Sequence, residues 1–148
     1  MQDALREAGL TGEVRELSAS TRTARDAARA LGCEVRQIAK SLLFRGVQTQ
    51  RPLLVVASGR NRVDEQRLAS LAGEPVELAH PDWVKQVTGF PVGGVPPLAL
   101  AQPVATYIDA DLMALTLIWA AAGTPNAVFP LTPDELARVT GGEIVPIA

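Results

Sequence analysis

Apolar residues recur along this chain with two spacings, one helical and one alternating, and the switches between them mark out the elements. Residues 2–8 suit a short helix closed by Gly9, and residues 13–18 read as an edge strand with Val14 among charged neighbours. Thr21 and Thr23 are candidate N-caps, with Asp26 three residues after Thr23, for a helix carrying Ala24, Ala27, Ala28 and Leu31 to a stop at Gly32. A short turn over residues 34–39 follows. Two apolar runs, residues 40–45 and 52–58, flank a polar loop at 46–51 and predict a hairpin. Asp64 caps a helix with Leu68, Leu71 and Ala72 on one side, ended by Gly73. A short strand at 76–78 leads to His80-Pro81-Asp82, which opens a helix with proline at its first position and Gly89 at its end. After an irregular stretch at 89–97, strands are expected at 104–108, 115–121 and 127–131. Thr132-Pro-Asp-Glu135 forms a capping box for a helix to Thr140, and residues 143–147 make a last strand.

All eleven prolines lie at or after Pro52, so the front third is free to be helical while the rest is strand and turn. With 148 residues, no repeat and no low-complexity linker, the pattern predicts one α+β domain with a mixed sheet. The longest apolar stretch, residues 112–122, is about half of the roughly 20 residues that a membrane span needs. The first residues form a polar amphipathic segment without an apolar signal core, so a soluble, cytoplasmic protein with no membrane partner is expected.

Composition narrows the chemistry. One cysteine, Cys33, and one histidine, His80, exclude a disulfide framework and any mechanism that needs two imidazoles, and argue against a multi-ligand zinc site. No metal or other cofactor is expected. Of fourteen basic residues only Lys40 and Lys85 are lysine. The first 74 residues carry twelve basic and nine acidic side chains, a balance of +3, and the remainder two and seven, a balance of −5, which sum to the net −2. A front half this mildly basic is compatible with touching a phosphate backbone without requiring it, and it gives no ground for a DNA partner.

Lys40 is the most informative position. In a strand beginning near it, Lys40 shares a face with Leu42 and Phe44, and Ser41 shares the other with Leu43 and Arg45. Such a lysine either snorkels from the strand end or sits at the rim of an apolar pocket. The segment 89–97 pairs Gly93 and Gly94, whose N–H groups could face a carbonyl oxygen, with Pro96 and Pro97, which stiffen the exit; the alternative is an ordinary connection. Gly123-Thr-Pro-Asn126 is by itself a turn signal. Asp109 and Asp111 read as caps of the next turn, His80 as a helix cap, and Cys33 as a small buried thiol.

These pieces together resemble the aminoacyl-tRNA deacylase family typified by YbaK and the ProX proteins, also found as the editing insertion of bacterial prolyl-tRNA synthetases. The resemblance spans roughly residues 13–140. It is carried by Thr23-Ala-Arg-Asp-Ala-Ala-Arg-Ala-Leu-Gly32, Gln37-Ile-Ala-Lys-Ser-Leu-Leu43, Thr88-Gly-Phe-Pro-Val-Gly-Gly-Val-Pro-Pro-Leu98, Tyr107-Ile-Asp109 and Ala121-Ala-Gly-Thr-Pro-Asn126, in that order. It implies a mixed, partly barrel-like sheet with surrounding helices and hydrolysis of the ester joining a wrong amino acid to the terminal adenosine of a tRNA, commonly one for proline. It implies catalytic roles for Lys40, Gly93 and Gly94. It also implies a substrate-binding set of Ser41, Phe90, Val95, Pro96, Pro97, Gly123, Thr124, Pro125 and Asn126, and an aminoacyl-tRNA synthetase as a candidate partner. Members acting on cysteinyl-tRNA tend to carry aromatic residues in the N-terminal part; residues 18–23 have none, which leaves alanine or another small residue open beside cysteine. Two other readings compete: a non-catalytic module binding an aminoacyl or nucleotide ligand, and a thiol-dependent enzyme using Cys33.

Overall fold

In a computed structural model of the protein, which describes residues 1–18 and 23–148, the helices begin and end where the sequence places caps. Helix α1 (Gln2–Glu7) is short, and helix α2 (Ala24–Leu31) starts at Thr23, whose Oγ1 accepts from the Asp26 N–H at 3.1 Å, and stops at Gly32. Helix α3 (Glu65–Ala72) is capped by the Asp64 carboxylate, and helix α4 (Pro81–Thr88) by His80 Nδ1, which accepts from the Asp82 N–H at 3.2 Å. Helix α5 (Pro133–Thr140) has the full Thr132/Glu135 capping box. Of the two N-caps expected before α2, Thr21 lies outside the described residues.

The strands are β1 (Arg15–Glu16), β2 (Ile38–Gly46), β3 (Pro52–Ser58), β4 (Val76–Leu78), β5 (Ala105–Asp109), β6 (Ile118–Ala121), β7 (Ala127–Leu131) and β8 (Glu143–Val145). They form one mixed sheet in the order β1-β7-β6-β2-β3-β5-β8, with β4 paired to β2 away from that path. Pairs β2·β6, β3·β5 and β5·β8 are parallel, and the hairpin β2·β3 is antiparallel. Strand β3 is buried on both faces. Leu54 and Val56 meet a core with Ile108, Ile118 and Phe129, while Leu53, Val55 and Ala57 meet a second core with Phe44 and Leu68. Fully burying each of the larger of these side chains contributes about 1.5–3 kcal/mol.

Strand β1 is confined to Arg15–Glu16, β5 shifts by one residue to Ala105–Asp109 and β8 stops at Val145, and two further differences from the sequence reading bear on the site. Strand β6 begins at Ile118 instead of 115, because a 3-10 turn at Ala110–Ala114, capped by Asp109, ends in an extended Leu115 before the strand starts. Strand β2 begins at Ile38, so Lys40 is its third residue, well inside the strand, and the strand-end snorkel is excluded.

Candidate functional site

The site lies where the sheet is split. One edge of β2 is paired with β3 from Ala39 to Arg45. The other edge is held by β6 at Ile38 and Ala39 and by β4 at Phe44, Arg45 and Gly46, so no strand covers residues 40–43 on that side. An apolar cavity of about 640 Å³ opens there, lined by every residue from Ile38 to Leu43. Six consecutive strand residues point to alternating faces, so they can share one cavity only if it runs along the strand's edge. Its remaining walls include Ala24, Arg25 and Ala27 of α2, Trp119 and Ala120 of β6, Ala79 and Val84 beside α4, and Val92, Gly93 and Val95 of the irregular loop.

Lys40 is half-buried in this cavity, and burial pushes its amine below the ordinary lysine range while the Asp109 carboxylate pulls it back up. The sheet sets up that pairing. Lys40 lies opposite Ala57, and Val56 lies opposite Ile108, which puts Ala57 level with Asp109. A lysine, a small alanine and an aspartate thus sit in one row across three strands. Asp109 is buried and accepts from the Ser58 N–H at 3.0 Å, Asn61 Nδ2 at 2.8 Å and the Asp111 N–H at 2.9 Å. The capping role read from sequence is present, but the charge placed behind Lys40 depends on a non-local strand pairing that no local motif announces.

The glycine loop needs one correction. The Gly94 N–H donates to the Pro91 carbonyl at 2.9 Å, and the Gly94 carbonyl accepts from the Gly123 N–H at 2.9 Å. Gly94 therefore closes a turn and bolts two loops together, and its amide is not available to an ester oxygen. Among the described residues, the amides of Gly93 and Val95 carry no internal partner, and both residues line the cavity. Gly93 holds a positive φ of 84°, a conformation that glycine adopts without strain.

Of the expected substrate-binding set, Ser41, Val95 and Pro125 line the cavity. Phe90, Pro96, Pro97, Gly123, Thr124 and Asn126 are not among its lining residues and stand behind its wall. Phe90 packs against the Gly123 backbone, Pro96 and Pro97 are buried, and Thr124 Oγ1 donates to Asn126 Oδ1 at 3.0 Å. The Asn126 carbonyl in turn accepts from the Leu17 N–H at 2.8 Å, tying the turn to the chain leaving β1. A Cβ on Gly94 would meet Thr124 Cα at 2.8 Å and Gly123 C at 3.0 Å, both backbone atoms. Gly94→Ala is therefore expected to part the two loops and lower stability by about 1–3 kcal/mol, read as a fall in Tm on thermal unfolding.

Most of the wall lies outside the residues expected from sequence, and three of these bear on its chemistry. Arg25 brings a positive charge to the cavity, Trp119 brings an aromatic face and is itself covered by the Arg15 guanidinium at 5.1 Å, and Val84 brings a branched apolar group. Helical spacing on α2 could have pointed to Arg25; Trp119 and Val84 depend on packing between distant elements. Cys33, half-buried, has its thiol pushed up by burial, which works against a nucleophilic thiolate.

The fold and the cleft define an α+β domain with an apolar cavity along an open strand edge, furnished with a half-buried lysine and loop amides. The chain belongs to the aminoacyl-tRNA editing domain family, whose profile matches residues 18–139. Among solved structures, a proposed trans-editing enzyme for prolyl-tRNA synthetase is 44% identical, with a TM-score of 0.92 over 99% of this chain and 92% of its own. The hypothetical protein APE2540 is 32% identical, with a TM-score of 0.90 over 98% of this chain and 96% of its own. YwhH of Bacillus subtilis (strain 168) is 32% identical over 132 residues, covering 89% of this chain and 83% of its length. Among the described residues, no helix is long and apolar enough to cross a membrane.

Proposed function

We propose that this protein is a trans-acting hydrolase, working in the cytoplasm, that removes a small, wrongly attached amino acid from tRNA, with a tRNA for proline as the first candidate. The observation that carries the reading is the half-buried Lys40 in an apolar, edge-open cavity with unpartnered loop amides, in a chain of the editing-domain family.

An aminoacyl ester is already activated, so positioning and oxyanion stabilisation can suffice without a strong side-chain base. A water adds its oxygen to the ester carbon, passing a proton to the neighbouring ribose hydroxyl, which relays its own toward the leaving ribose oxygen. The carbonyl oxygen gains negative charge facing the Gly93 and Val95 amides and the Lys40 charge. The bond from that carbon to the ribose oxygen then breaks, and the ribose oxygen takes the proton. Arg25 at the rim suits the phosphate of the terminal nucleotide. Leu43, Ala79, Val84 and Val95 make the amino-acid end small and apolar, a filter in which one methylene is worth about 1–3 kcal/mol.

A panel of alanyl-, cysteinyl- and prolyl-tRNA, all on a tRNA for proline, tests the reading. Release of a small amino acid with prolyl-tRNA left intact is the expected result. Tight binding of a non-hydrolysable aminoacyl-adenosine without turnover of any ester would show instead a non-catalytic binding module.

A further inference from the structure

Strand β2 carries one residue whose hydrogen-bonding capacity is unspent, and it faces the cavity. The Gly59 N–H donates to the Ile38 carbonyl and the Gly46 N–H to the Arg51 carbonyl. In an antiparallel pair the bonded positions alternate, so Ile38, Lys40, Leu42, Phe44 and Gly46 turn their N–H and C=O groups to β3. Ala39, Ser41 and Leu43 turn theirs to the opposite edge. There the β6 ladder stops at Ala39, and the Leu43 carbonyl is taken by the Ala79 N–H at 2.9 Å. Ser41 is left between them with its main-chain N–H and C=O unpaired among the described residues. Its hydroxyl adds to the set: Ser41 Oγ is a buried side-chain polar atom with no hydrogen-bond partner among the described residues. Two main-chain groups on the uncovered edge of β2, and a hydroxyl buried beside them out of reach of solvent, leave Ser41 with three unpaired polar groups, a costly set unless a ligand meets the edge.

Resting on the editing reading above, we propose that Ser41 reads the aminoacyl group as an antiparallel strand partner one residue long. In a hydrogen-bonded antiparallel pair each residue donates its N–H to the other's carbonyl. The substrate's α-amino group would donate to the Ser41 carbonyl, and the Ser41 N–H would donate to the ester carbonyl, taking the place expected of the Gly94 amide. Three kinds of specificity follow. Paired residues send their side chains to the same face, so an L-amino acid directs its side chain to the Ser41 face, toward Leu43, Val84 and Val95, and a D-amino acid directs it to the opposite one. A group attached to the α-nitrogen would run along β2 toward Leu43, where Ala79 already closes the edge, so a free amine is required. The ester end runs the other way, toward Lys40 and Arg25.

The test compares L-alanyl-, D-alanyl- and N-acetyl-L-alanyl-tRNA with the intact protein, and repeats the first with Ser41→Ala. The expected result is hydrolysis of the L-alanyl ester and at least about 100-fold lower kcat/KM for the D and N-acetyl esters, as for a site that loses a hydrogen-bond partner it was built to meet. Ser41→Ala is expected to slow the L-alanyl ester by about tenfold with no fall in Tm, since an orphaned hydroxyl stabilises nothing. N-acetyl-L-alanyl- or D-alanyl-tRNA cleaved as fast as L-alanyl-tRNA would overturn the pairing while leaving the deacylase reading intact. An unchanged rate in Ser41→Ala would remove the hydroxyl from it. Cleavage of none of the three esters would instead refute the deacylase reading itself.

Discussion

Lys40→Ala is expected to lower kcat/KM for a mischarged tRNA by about 10²–10³-fold, the range for losing one preorganised oxyanion-stabilising group, with Tm unchanged or slightly raised. The two halves of this expectation have one cause. Burial disfavours the charged amine, as its lowered pKa records, so removing the charge relieves the fold of a desolvation cost. The same burial keeps water from screening the charge, which makes it effective against a developing oxyanion. Lys40→Arg is expected to recover only part of the activity, because a planar guanidinium spreads its charge over three nitrogens and is bulkier than the compact ammonium it replaces. Rates measured with the substrate in large excess, and again well below KM, separate loss of chemistry from loss of binding. Full activity in Lys40→Ala would refute the role.

Lys40 shows in the sequence as a lone lysine on an apolar strand face, whereas its charged neighbour and the cavity around it come from distant parts of the chain. Local signals were legible: Thr23, Asp64, His80 and Thr132 accept the capping hydrogen bonds their types and positions promise, and Gly32, Gly73, Gly89 and Gly141 end their helices in the left-handed conformation. These depend on atoms within four residues of one another. The hairpin of β2 and β3 was legible for the same reason. Strand order was not, because the parallel pairings β2·β6 and β3·β5 join segments dozens of residues apart and leave no periodic trace. The two facts that make the site, the bare edge at Ser41 and the Lys40–Ala57–Asp109 row, both follow from those pairings. The glycine loop falls between these cases. Its residue types announce a tight turn, but whether the Gly94 amide faces inward to Pro91 or outward to a ligand is settled by the contact with the 123–126 turn.

Asp109 carries the second large expectation. Its carboxylate accepts from Ser58, Asn61 and Asp111, and the Ser58 bond is buried. Asp109→Ala would strand those donors, at about 1–3 kcal/mol for each one left buried and unpaired, so a marked fall in Tm is expected. Asp109→Asn is the more informative variant: it keeps the shape and one acceptor oxygen while removing the negative charge. That charge raises the Lys40 pKa against the pull of burial, so its loss must lower that pKa further. Hydrolysis that needs a charged Lys40 declines as pH rises through the Lys40 pKa. In Asp109→Asn the alkaline decline of kcat/KM is therefore expected to begin at lower pH than in the parent protein, with activity at acidic and neutral pH less affected. The measurement is a pair of pH profiles taken at a temperature where both proteins are folded. A purely structural Asp109 would cut the amount of active protein at every pH and leave the midpoint of the alkaline limb in place; that result would disconnect the carboxylate from Lys40 and leave it as a brace between β3, β5 and the 3-10 turn.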